Sequence, residues 1–262
     1  MAAAALDLAP DSLHQMFELK YGSTAEGWRP AMDRRFGYFS PDEHYECVIA
    51  KLVTPDSTWL DVGCGREIFP NNARLTRLLA DRCRLIAGVD PSDNLNDNPY
   101  LKERYRSTVD QLRTNKMFDL ITMRMVAEHV DNPEASLASL RLLAKPGGKL
   151  VIYTVHKWSP LAVLARVIPF GLHHRIKSWV WKSEERDTFP VAYKMNTRRD
   201  LTRLLREAGF VERTFAFVSD AHTFFRFPVL HCLELSIWKA LQAFGWNYPE
   251  RCLIGVYERT TA

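Results

Sequence analysis

A chain of 262 residues with 47% hydrophobic and 25% charged side chains has the size and composition of one large soluble domain or two small ones. The formal net charge of +4 permits an anionic ligand or a membrane surface as partner and requires neither. The five cysteines (Cys47, Cys64, Cys83, Cys232, Cys252) are scattered and never form a C-x-x-C pair, which argues against a disulfide framework and a zinc site and fits a reducing, cytoplasmic compartment.

The opening "MAAAALDLAPDSLHQ" has neither a basic n-region nor a long apolar stretch, so no secretory signal is expected. Residues 1–56 are expected to pack as helices over the site. "TWLDV" reads as a buried strand. "NNARLTRLLADRC" then sets Leu75, Leu78, Leu79 and Cys83 at helical spacing. "RLIAGVD", ending at Asp90, and "FDLITM" read as the second and third strands. Asn132 followed by Pro133 marks a helix start, with Leu137, Leu140 and Leu143 on its buried face, and Pro146-Gly147-Gly148 marks its stop. "KLVIYTV" is the next strand. Thr197 and Asp200 form a capping-box-like pair ahead of Leu201, Leu204, Leu205 and Ala208. "TFAFV" and "CLIGVYE" close the pattern. No run reaches the roughly 18 apolar residues of a membrane span; "FPVLHCLELSIWKALQAFG" is interrupted by His231, Glu234, Lys239 and Gln242. Strands alternating with helices predict an α/β, doubly wound, mostly parallel sheet. The rhythm is that of a single domain, with a core over 57–156 and helical cap insertions over 157–195 and 219–248.

In such a sheet ligands bind beyond the carboxyl ends of the strands, where strand order reverses. The turn after the first strand carries Gly63 and Gly65, which let the backbone bend and approach a ligand. The string Gly63-Cys64-Gly65-Arg66-Glu67-Ile68 lacks the third glycine of a dinucleotide fingerprint, and no G-K-[ST] follows. Glu67 near a helix start would repel a pyrophosphate. A nucleoside without phosphates fits better. Asp61 suits a cationic ligand, and Asp90 is placed to accept hydrogen bonds from ribose hydroxyls.

With "LDVGCG", "GVDPS" and "FDLITMRMVAEHVDNPEASLASLRLLAKPGGKLVIYTV" in that order, the sequence resembles the class I S-adenosylmethionine-dependent methyltransferases, small-molecule branch, including the quinone-pathway type. The likeness runs from Thr58 to Val155, with a weaker echo at "LTRLLREAGF". It implies a Rossmann-like fold, S-adenosylmethionine as cofactor and S-adenosylhomocysteine as product. It implies that Asp61, Gly63 and Gly65 line the methionine part, that Asp90 holds the ribose, that Thr108, Val109, Asp110 and Gln111 flank the adenine, and that Arg124 and Met125 sit beside the methyl donor.

Methyl transfer from a sulfonium is an in-line displacement with a good leaving group, so alignment in a dry site supplies much of the catalysis. A base is needed only where the acceptor keeps its proton. His129, His156 and Tyr193 are the candidates, each with a structural reading beside it: orientation or packing for His129, cap packing for His156, a satisfied buried hydroxyl for Tyr193. The E-x-x-E-H string with which some quinone-pathway relatives hold a divalent metal has Met125 in place of its first acid, so no metal is expected. "DNPY" at Asp97–Tyr100 resembles the adenine N-methyltransferase tetrapeptide but follows the second strand, so it reads as a turn. No basic domain is present to grip a phosphate backbone, and no nucleic-acid partner is expected.

The two insertions are rich in aromatic residues and are expected to build a roomy apolar acceptor pocket. Residues 159–182 interleave His173, His174, Arg175, Lys177 and Lys182 with Trp179 and Trp181; packed cap helix, contact with an anionic membrane surface, and pocket for an acidic acceptor all remain open. The function expected is methyl transfer to a small hydrophobic or aromatic acceptor at O, C or N. A membrane-surface lipid or quinone methyltransferase and a non-catalytic cofactor-binding accessory protein are the alternatives.

Overall fold

The computed structural model describes residues 2–167 and 191–261. Among the described residues, seven strands form one sheet: β1 (Thr58–Val62), β2 (Leu85–Asp90), β3 (Glu103–Arg106), β4 (Phe118–Arg124), β5 (Ala144–Val155), β6 (Phe210–Ser219) and β7 (Arg251–Arg259). Their order is β3-β2-β1-β4-β5-β7-β6. β1 to β5 run parallel, and β7 alone runs against its neighbours β5 and β6. The chain winds outward from β1 to β3 and then returns to place β4 beside β1. The switch point therefore lies at the carboxyl ends of β1 and β4.

The pleat sends alternate residues of each strand to opposite faces. Trp59, Ile86, Leu120 and Val151 feed one core, and Leu60, Ala87, Ile121 and Leu150 the other. The first core is covered by α2 (Ser12–Tyr21), α4 (Pro41–Leu52) and α5 (Ala73–Arg82), through Met16, Val48, Ile49, Leu75 and Leu79. The second is covered by α6 (Pro133–Leu143) and α8 (Arg198–Glu207), through Leu137, Leu140, Leu201 and Leu205. Helices on both faces complete the Rossmann-like arrangement expected from the sequence.

The predicted caps are in place. Asn132 Oδ1 accepts from the Ala135 amide at 3.1 Å, and Thr197 Oγ1 from the Asp200 amide at 3.1 Å. One helical position differs from expectation, and one strand left no apolar trace in the sequence. Leu78 faces solvent, 49% exposed, and Thr76 takes the buried position in α5. β3 gave no apolar signal because it is an edge strand of half-exposed polar residues, with Glu103 and Tyr105 alternating against Arg104 and Arg106.

The first 56 residues also contribute the short α1 (Ala2–Ala5) and α3 (Trp28–Phe36). α2 is tied to α4 by a buried ionic cluster in which Lys20 Nζ donates to Glu43 Oε1 at 2.9 Å and Glu46 Oε1 at 3.0 Å. After β5 comes α7 (Pro160–Val167), and between β6 and β7 comes α9 (Pro228–Ala243), which packs on α3. Tyr38, Ala221, Leu235 and Trp238 form a small separate core there. Among the described residues no helix is long and apolar enough to cross a membrane.

Candidate functional site

The loops that leave β1, β2 and β4 open onto a cleft of about 1230 Å³. Gly63 stands at φ +72°, and its amide donates to Val89 O at 2.8 Å. A Cβ at this position would come within 2.3 Å of Val126 Cγ2, so only glycine lets the β1 and β4 loops close on one another. Gly65 turns at φ +45°, and its amide donates to Asp90 Oδ2 at 3.0 Å. Asp90 Oδ1 accepts from the Ser92 amide at 2.8 Å. Each oxygen of this carboxylate keeps a further lone pair for a ligand hydroxyl.

Asn98 fastens the glycine turn from behind. It is fully buried, and its Nδ2 donates to Cys64 O at 3.4 Å and Gly65 O at 3.5 Å. This is the "DNPY" segment, a turn as its position after β2 indicates, but one that supports the glycine loop.

On the opposite lip, Met125 adopts φ +52° directly after β4, and its amide donates to Tyr153 O at 2.8 Å. A non-glycine residue in the left-handed region stores roughly 1–3 kcal/mol, and such positions concentrate at functional sites. Arg124 Nη2 donates to Asp42 Oδ1 at 3.0 Å, and its guanidinium lies 5.9 Å from the centre of the Tyr153 ring. Burial pushes the Asp42 carboxyl upward, but the Arg124 and Lys20 charges outweigh it and hold the group below its ordinary value. Asp42 is 82 positions from Arg124 and opens α4 as an ordinary first-turn acid, so nothing in its local sequence marks it as the partner of Arg124.

Of the residues singled out from the sequence, the cleft brings together Gly63, Gly65, Asp90, Thr108, Val109, Asp110, Gln111, Arg124, Met125 and His129. Three do not line it. Asp61 lies on the Trp59 face of β1. Its Oδ1 accepts from Thr122 Oγ1 at 2.6 Å, and that hydroxyl accepts from Trp59 Nε1 at 2.7 Å. Burial raises the Asp61 carboxyl to about 7 against the Thr122 hydrogen bond.

His156 is the second. It follows β5, whose outer neighbours are β7 and β6, so it faces the closing strands and not the switch point. Its amide donates to Arg251 O, its ring stands edge-on to Phe217 at 5.6 Å, and its buried Nδ1 has no hydrogen-bond partner among the described residues. Burial, with the Arg251 and Lys157 charges, holds it below the ordinary imidazole value.

Tyr193 is the third. It adopts φ +51°, and its amide and that of Ala192 donate to Glu128 O; the neighbours Val191, Ala192 and Lys194 line the cleft in its stead. Glu128 itself is buried behind the cleft, accepting from Thr154 Oγ1 at 2.7 Å, and burial raises its carboxyl.

Of the first aromatic insertion, Val191, Ala192 and Lys194 line the cleft. Residues 219–248 pack on α3, leave Val229, Leu230, Leu233 and Ile237 exposed, and contribute nothing to the lining of the cleft. The apolar lining includes Val62, Val89, Met125, Val126, Val130 and Val191. The basic and aromatic part of 159–182 beyond Val167 lies outside the described residues.

An adenosyl cofactor without phosphates fits these residues. The turn is closed around two glycines, a carboxylate with spare acceptor capacity ends β2, and Glu67 sits where a pyrophosphate would be repelled. A ubiquinone biosynthesis O-methyltransferase from Xanthomonas axonopodis pv. citri is 31% identical over 141 residues, covering 49% of this chain and 59% of that protein. One from Coxiella burnetii is 32% identical over 107 residues, covering 37% and 43%. The chain thus spans about half the length of the curated relatives it matches. The crystal structure of an S-adenosylmethionine-dependent methyltransferase from Mesorhizobium loti superposes with a TM-score of 0.55 at 18% identity, over 84% of this chain and 98% of that one, and shares the fold. The pattern of a methyltransferase domain matches residues 25–213, well over half of the sequence, and the chain belongs to that methyltransferase family.

Proposed function

We propose that the chain transfers a methyl group from S-adenosylmethionine to a small organic acceptor of hydrophobic or aromatic character, at O, C or N. The observation that carries this reading is the glycine turn closed against Val126, with the Asp90 carboxylate tied to it, at the switch point of a parallel sheet. The cofactor supplies an electrophilic methyl group on a cationic sulfur. In this reading Gly63 and Gly65 give it a close backbone approach. Asp90 accepts from its ribose hydroxyls, and Thr108–Gln111 border its adenine. Arg124 and Met125 hold the lip where donor and acceptor are aligned. Asp61 acts from behind the turn as a positioning residue, through Thr122 and β4. His129, half-buried on the cleft wall, takes the acceptor's proton where the acceptor has one to lose. The N-terminal helices and the two insertions serve as a cap on one catalytic domain, and the five unpaired cysteines suit a cytoplasmic setting.

The test uses methyl-labelled S-adenosylmethionine, purified protein and a host-cell extract, with aqueous and organic phases searched for labelled products. Label in the organic phase, lost in Asp90→Ala, supports the reading; label confined to polar metabolites overturns the acceptor class. His129→Gln lowers kcat with little change in KM if His129 is the base. Unaltered kcat assigns it to the wall alone.

A second reading is favoured by the relatives. Their printed names make them quinone-pathway O-methyltransferases, so a quinone precursor or a lipid at a membrane surface is a specific acceptor class to try. Turnover that rises with anionic vesicles supports it. A purified protein that binds the cofactor and never releases S-adenosylhomocysteine with any extract would make it an accessory protein.

A further inference from the structure

Away from the cofactor cleft, Asp33 of α3, His222 in the turn after β6 and His231 of α9 converge. His222 Nε2 lies 3.2 Å from both Asp33 oxygens, and His231 Nε2 lies 3.2 Å from Asp33 Oδ1. Three ligand atoms, one from each side chain, fall within 4.8 Å of one another. Around a tetrahedral ion with bonds of about 2.0–2.1 Å, neighbouring ligand atoms stand about 3.3 Å apart. The 3.2 Å between the carboxylate and each imidazole nitrogen, here a hydrogen bond, is also the separation of atoms sharing one ion.

The surroundings have the second layer that a metal site needs. His231 is completely buried, and its Nδ1 has no hydrogen-bond partner among the described residues. Glu234 Oε2 lies 3.8 Å from it, one turn along the same face of α9. Glu234 is itself held by the Thr223 amide at 3.1 Å, the Phe224 amide at 3.0 Å and the Tyr248 hydroxyl at 2.9 Å. With Nε2 on a metal, the Nδ1 proton of His231 points at a fixed carboxylate, the usual way a ligating histidine is oriented. Tyr38 packs edge-on against the His222 ring at 5.0 Å. The His222 side chain keeps 14% exposure while Asp33 and His231 are closed off, which gives an ion one side of entry.

We propose that Asp33, His222 and His231 form a binding site for a divalent first-row transition metal of the zinc type, joining α3 to α9. Two imidazoles and one carboxylate suit zinc and disfavour magnesium or calcium, which take oxygen ligands. Three protein ligands leave a position for water or another ligand. The ion fastens the N-terminal helices to the segment between β6 and β7, two parts of the chain about 190 residues apart in sequence. No spacing rule reveals such a site, since its ligands lie on three separate elements and none is a cysteine.

The test takes the tag-free full chain, stripped with a chelator and dialysed, and titrates zinc chloride against a chromogenic competitor. Cobalt(II) chloride is added in parallel and its absorption recorded. The expected result is one equivalent bound, a cobalt spectrum of low coordination number, and a melting temperature that rises with metal and falls on chelation. His222→Ala lowers affinity at least tenfold with an unchanged circular dichroism spectrum, and Glu234→Gln lowers it about tenfold through the outer layer. His156→Ala, at a histidine outside the cluster, binds as the wild type does. A wild type that takes up no metal overturns the proposal, as does a His222→Ala protein that takes up as much. Because every readout is metal uptake or melting, failure here leaves the methyl-transfer reading untouched.

Discussion

Replacing Gly63 with alanine tests whether the glycine turn is shaped by contact or by backbone freedom. The new Cβ meets Val126 Cγ2 at 2.3 Å, a separation that one side must relieve by moving. Overpacking of this kind costs about 1–3 kcal/mol, and an alanine at φ +72° adds about 1–2 kcal/mol. Gly63→Ala should therefore lose roughly 2–5 kcal/mol in urea unfolding, with weakened S-adenosylhomocysteine binding by calorimetry. Val126→Ala removes the obstructing methyl from a half-buried side chain and should cost about 1 kcal/mol alone. The double variant should be more stable than the sum of the two losses by about 1–3 kcal/mol, since only the backbone term survives. Gly65→Ala is the comparison: its Cβ meets nothing within 4 Å, so stability falls by the backbone term of about 1–2 kcal/mol. Additive losses at Gly63 and Val126, or a Gly63→Ala protein as stable as the wild type, would refute the contact argument.

Lys20→Met leaves Glu43 and Glu46 buried without their shared cation and should destabilise by about 3–5 kcal/mol in urea melts. Asp61→Asn should flatten the pH dependence of stability. The folded-state value of about 7 lies above the ordinary 3.8, so the folded chain holds an extra proton and wild-type stability falls as pH rises through that window. Unfolding midpoints at pH 5 and pH 8 should therefore diverge less in the variant than in the wild type, and equal divergence would sink the assignment. Asn98→Ala removes a fully buried support of the Cys64 and Gly65 carbonyls and should cost about 1–3 kcal/mol, with weaker S-adenosylhomocysteine binding in the same titrations.

The sequence by itself determined the strand-helix alternation, the caps at Asn132 and Thr197, and the glycine turn with Asp90 beyond it. Each rests on residues close in the chain, whose spacing or conformational needs leave a local trace. The same locality explains the misses. β3 is a polar edge strand, and Leu78 follows the helical period yet lies on the outer side of α5. Only the tertiary structure decided which candidates meet. β5 pairs outward with β7, which carries His156 away from the switch point, and the β1 pleat turns Asp61 toward Thr122. Asp42 reaches Arg124, and Asp33 reaches His222 and His231, across separations that pattern cannot span. Periodicity says which side of an element is buried; what it is buried against depends on sheet order and helix packing, which long-range burial and hydrogen bonding settle together.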